Sequence, residues 1–136
     1  MKKLIFFEVF FLIFFLCCKN DLSQGQLQLD KSIELKYGEI LKNTDYQISI
    51  VLDSVLTDSR CPNGAECIWA GNAEVRLIYS GINRKVSFLL NTLPSFRTDS
   101  LIDGYRIKLV KLTPYPELGV DIKQADYKAA IEITKE

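Results

Sequence analysis

Apolar and polar residues alternate along much of this chain with a period of two, the mark of strands that bury one face. In Tyr46-Gln47-Ile48-Ser49-Ile50 the first, third and fifth positions are apolar and the others polar. Ala73, Val75, Leu77 and Tyr79 share one face, with Glu74 and Arg76 on the other. Val86, Phe88 and Leu90 repeat the pattern. Tyr105, Ile107 and Leu109 alternate with Arg106 and Lys108, and the phase slips at Val110, which predicts a bulge or a strand end. Tyr127, Ala129, Ile131 and Ile133 oppose Lys128, Glu132 and Thr134. Two shorter candidates, Leu27 to Leu29 and Ile33 to Tyr37, come earlier.

The connections agree with a β protein. Ser80-Gly81-Ile82-Asn83 predicts a tight hairpin between two alternating runs. Residues 91–104 and 113–126 predict longer, irregular connections, with a short helical turn near Lys123 to Asp126. No segment sustains a 3.6-residue apolar period, and no internal repeat is visible. About seven one-faced strands are best buried by stacking two sheets. The expected fold is therefore all-β: an antiparallel, immunoglobulin-like β-sandwich over residues 27–136, with a small β-barrel as the alternative.

The first residues follow a different rule. Lys2 and Lys3 precede a run, residues 4–18, that is apolar apart from Glu8. This layout predicts a secretory signal. A bilayer-spanning helix needs about 20 apolar residues, more than this run offers. The run stops at Cys17-Cys18, ahead of Lys19, Asn20 and Asp21, and resembles a bacterial lipoprotein signal. Cys18 fits the acceptor position better than Cys17, because a small residue then precedes it. The resemblance implies a signal over 1–17, lipidation at Cys18, a tether over 18–26 and a membrane partner held through the lipid. A plain secretory signal without lipid is the alternative. Removing residues 1–17 takes two lysines and one glutamate from a chain with 17 basic and 17 acidic residues. A near-neutral body lacks the concentrated basic face that nucleic acid requires.

The least ordinary stretch is DSRCPNGAECIWAG, residues 58–71. Export puts Cys61 and Cys67 in an oxidising compartment, where a disulfide is the expected state. Closing so short a loop contributes roughly 2 kcal/mol through chain entropy. Pro62 and Asn63-Gly64 supply turn geometry. A metal site fails on ligand count, since the chain has no histidine and two thiolates cannot close a tetrahedral zinc site. The five-residue spacing is not that of a thioredoxin-like redox pair, and neither cysteine has a histidine base to activate it. No metal or other cofactor is expected. The carboxylate pairs Asp53 with Asp58 and Asp99 with Asp103 could support acid–base or calcium chemistry, but they read first as solvated loop residues.

Trp69, the chain's one tryptophan, has two readings. The preferred one packs it on the disulfide at the sandwich edge, with Ala70 and Gly71 small for close approach. The other makes Trp69, Arg60 and Asn63 an exposed recognition patch, because Trp and Arg dominate binding hot spots. Tyr115, between Pro114 and Pro116, either joins that patch or covers the core.

The residues Asp58, Ser59, Arg60, Cys61, Pro62, Cys67, Trp69, Ala70 and Gly71 resemble a motif of small uncharacterised lipoproteins from Bacteroidota-type bacteria. Thr113 to Glu117 and the strand from Tyr127 are similar too. The resemblance implies a secreted, lipid-anchored β-domain and no specific role. The functional expectation is a monomeric, non-catalytic binding or structural module of the cell envelope, with an envelope protein or glycan as partner. Two alternatives belong to other classes. One is a protease inhibitor that presents the stapled loop beside Arg60. The other is a hydrolase working with carboxylates alone.

Overall fold

A computed structural model describes residues 24–136; the segment 1–17, expected to be a signal, and Cys18, the expected lipid acceptor, lie outside the described residues. Among the described residues nine strands run in chain order: β1 (Gln24–Gln26), β2 (Ser32–Lys36), β3 (Ile40–Asn43), β4 (Ile48–Asp58), β5 (Ala73–Ser80), β6 (Lys85–Asn91), β7 (Asp99–Ile102), β8 (Tyr105–Thr113) and β9 (Lys128–Lys135). One sheet has the order β1-β3-β4-β5-β6 and the other β2-β9-β8-β7. Neither closes into a barrel, so the fold is the expected β-sandwich, built from two meanders that exchange early strands. All pairings are antiparallel except that of β1 with β3.

The runs from Ala73, Tyr105 and Tyr127 bury the faces their periodicity predicts, whereas Tyr46 is exposed in a turn and Val86 and Phe88 are half-buried. Ala73, Val75, Leu77 and Tyr79 are buried from one sheet, and Tyr105, Ile107, Leu109, Ala129, Ile131 and Ile133 from the other. Each is inward because side chains two apart share a face of the pleat. The slip at Val110 is a register irregularity between Leu109 and Lys111. The hairpin at 81–84 closes with the Gly81 amide donating to the Arg84 carbonyl at 2.9 Å. The helical turn is a single 3-10 turn at Gln124–Asp126.

Some elements differ from the expectation. β3 and β7 fall where no strand was predicted, and residues 24–26, read as tether, pair with β3 as β1. Leu27 to Leu29 is not a strand, although Leu27 is buried. β4 continues to Asp58 because two irregularities, around Asp53 and Leu56, rephase it. Its buried positions therefore go from Ile48, Ile50 and Leu52 to Val55 without a strict alternation.

Strand directions sort the connections into two ends. Connections 59–72, 92–98 and 114–127 lie together at one end, where β4 and β8 finish. The turns 44–47, 81–84 and 103–104 and the C-terminus lie at the other. The disulfide belongs to the first end.

Candidate functional site

The stapled end is built from Asp58 upward. Asp58 is the last residue of β4, and Arg60 follows two positions later, a spacing that lets the two side chains meet. The Asp58 carboxylate accepts from Arg60 Nε at 2.8 Å and from Nη2 at 2.6 Å, a bidentate pair. The guanidinium then donates across the sandwich, from Nη1 to the Leu112 carbonyl at 2.7 Å and from Nη2 to the Pro114 carbonyl at 2.9 Å. Tyr127, just ahead of β9, donates its hydroxyl to Asp58 at 3.0 Å. The Tyr115 ring stacks under the guanidinium, with its centroid 4.9 Å from Cζ. One buried cation thus joins the end of one sheet to the end of the other.

Arg60 is only 7% exposed, so it is not part of a surface patch. This corrects the expectation that it stands beside Trp69 for recognition. The reason is the hydrogen-bond demand of the guanidinium, which two carbonyls and a carboxylate meet inside the fold. The same burial removes Arg60 as the side chain a stapled inhibitor loop would present. Burial raises the Asp58 carboxyl, but hydrogen bonds and charge from Arg60, with the Tyr127 hydroxyl, outweigh it and hold the pKa below the ordinary value. Burial, then the charge of Asp58, pushes the Tyr127 phenol up to about 12.

Cys61 and Cys67 form the expected disulfide, with Cα atoms 5.9 Å apart. Within the loop the Ala65 amide donates to the Pro62 carbonyl at 3.1 Å, and Gly64 takes a φ of 85°, which glycine adopts without steric cost. Asn63 is exposed, but its backbone is committed. Its amide donates to the Pro116 carbonyl at 2.9 Å, and its carbonyl accepts from the Leu118 amide at 3.1 Å. Gly71 permits the close approach expected of it. A Cβ there would stand 1.8 Å from the Ser59 carbonyl oxygen. Asn72 binds the 92–98 connection at its start: its Nδ2 donates to Asn91 Oδ1 at 2.8 Å, and its Oδ1 accepts from the Leu93 amide at 3.1 Å.

Trp69 is 67% exposed and Ile68 94% exposed. The preferred reading, a tryptophan packed on the disulfide, is therefore corrected. The close approach at Gly71 returns the chain to Ser59 immediately after Trp69, and the indole is left outside the core. Tyr115 packs on Arg60 and remains about half exposed. Leu118 and Val120 are exposed on the neighbouring connection, and Phe96 on the 92–98 connection.

Beside this end lies an open cleft of ≈ 530 Å³, lined by Asp58, Arg60, Gln124 and Tyr127 with Leu56 and Val120. Gln124 grips the free edge of β4 like a backbone unit, accepting from the Val55 amide at 2.9 Å and donating to the Val55 carbonyl at 2.7 Å. The carboxylates considered for chemistry each contact an arginine: Asp53 with Arg76, Asp58 with Arg60, Asp99 with Arg106 and Asp103 with Arg84. Among the described residues no group of three or more acidic or cysteine side chains is placed to hold a metal ion. No described helix is long and apolar enough to cross a membrane.

Sequence reasoning missed the roles of Asp58, Tyr127, Asn72 and Gln124. The one available signal was the Asp-x-Arg spacing at the start of the stapled stretch, which offers a local ion pair. What the geometry offers is a covalently and ionically braced platform with an isoleucine and a tryptophan projecting from it. No protein-family profile matches the chain, and no curated protein or solved structure matches it either.

Proposed function

We propose that this chain is a lipid-anchored, non-catalytic binding module of the cell envelope, and that the stapled end is its contact surface. The observation that carries the reading is the exposure of Ile68 and Trp69 on a loop fixed at both sides. Large apolar side chains in water cost free energy unless a partner covers them, and aromatic residues on a preorganised surface lose little entropy when it does. The anchor is supported by the apolar run ending at Cys17-Cys18 and by the resemblance of residues 58–71 to a motif of Bacteroidota-type lipoproteins. No second reading is favoured, because the buried Arg60 deprives an inhibitor loop of its cation.

Site-specific photocrosslinking in intact cells of a diderm bacterium tests the proposal. A benzophenone side chain at Ile68 is expected to give adducts that the same group at Ile82, on the opposite end, does not. Equal labelling from both positions, or none from either, overturns the assignment of the surface. Acyl labelling that persists after Cys18→Ala overturns the assignment of the anchor.

A further inference from the structure

β1 runs parallel to β3 and hence antiparallel to β4, so its first residue points back toward the stapled end. Gln24 stands level with Ile40, and Ile40 with Val51. Val51 pairs with Ile78 and Asp58 with Ala73, five residues apart on the regular partner strand, so the end of β4 lies about 17 Å further on at 3.3 Å per residue. Six peptide steps separate Gln24 from Cys18, a reach of at most about 20 Å when fully extended. The two lengths are similar. A sandwich tethered through Cys18 therefore stays close to the bilayer, and the exit direction of β1 turns its stapled end toward it.

Exposed apolar side chains follow the same polarity. Ile68, Trp69, Phe96, Tyr115, Leu118 and Val120 all belong to connections at the stapled end, whereas the turns at the other end expose Tyr46 and Ile82. Arg97 and Lys123 are the only exposed cations of connections 59–72, 92–98 and 114–127, against Glu66, Glu117, Asp121 and Asp126. Attraction to anionic headgroups is therefore not what this end offers. An indole and an aliphatic side chain at a protruding tip suit the boundary between headgroups and acyl chains of a neutral surface.

We propose that the partner of the stapled end is the bilayer that holds the chain's own lipid, with Trp69 and Ile68 seated at its interface. This rests on the anchor reading above. The tether supplies the affinity, and the tip fixes the orientation, leaving the end that carries the 81–84 hairpin facing away.

The test uses the full chain, expressed with its signal, purified with its acyl groups and reconstituted into phosphatidylcholine vesicles. Trp69 is the only tryptophan, so indole emission reports this position alone. Emission is expected to shift to shorter wavelength and to fall by about half when the acyl chains carry bromine, since an interfacial side chain sits about 5–10 Å deep. A W69F/I82W chain, reporting from the opposite end, is expected to show neither effect. Acylated protein whose Trp69 is unquenched by brominated lipid and open to aqueous acrylamide overturns this inference and leaves the anchor intact. A purified chain whose mass lacks acyl groups overturns the anchor reading, and this inference with it.

Discussion

Arg60 is the residue on which the stapled end depends. Breaking a buried ion pair by removing one partner costs about 3–5 kcal/mol, because the other charge is left without compensation. Arg60→Met should therefore lower stability by about 3 kcal/mol in urea unfolding, and a loss below about 1 kcal/mol would mean the pair is not closed in solution. Its pH behaviour follows from the two shifted partners. Asp58 is held below its ordinary pKa, so its contribution is present at neutral pH and is lost as pH falls below about 4 toward the folded value. Tyr127 and Tyr79 are both raised to about 12, so unfolding releases protons above the ordinary phenol pKa of 10.0 and stability falls between there and 12. Thermal melts across pH should show both limbs. In Tyr127→Phe the alkaline loss should shrink while the acid loss remains.

At the scale of elements, the strands that could be read in advance are those whose two faces differ. β5, β8 and β9 bury every apolar position of their alternating runs, and the 80–84 hairpin and the 124–126 turn lie where their residues predict. β3 was not legible because Ile-Leu-Lys-Asn has no alternation, and β7 because four residues at a sheet edge bury only Ile102. β1 is invisible to side-chain patterning, since Gln-Gly-Gln offers no apolar position. The irregularities in β4 hid its last turnward residues by breaking the period. At the candidate site, the disulfide and the tight spot at Gly71 were legible, while the directions of Arg60 and Trp69 were not. Local spacing cannot say that Leu112 and Pro114, more than fifty residues away, will supply the carbonyls that draw Arg60 inward. Gly71→Ala sets a methyl group against the Ser59 backbone, and overpacking of that kind costs about 1–3 kcal/mol. Paired Cys61→Ser and Cys67→Ser substitutions should cost about 2 kcal/mol, the loop-closure entropy of so short a ring. Differential scanning calorimetry distinguishes these outcomes from unchanged stability.

For the whole molecule, the two ends of the sandwich are unlike. One carries short turns and the C-terminus; the other gathers three long connections, the staple and most of the exposed apolar loop residues. Hydrogen bonds from Asn63, Arg60 and Asn72 make those connections one unit, so the end acts as a shaped surface. For the binding role proposed above that rigidity matters, since ordering a loop on contact would consume part of the interaction energy. The most direct measurement is ¹⁵N relaxation over residues 59–72 and the Trp69 indole. Order parameters near 0.85, matching the strands, are the predicted result for the backbone. Values below about 0.6 across the loop would contradict a preformed platform.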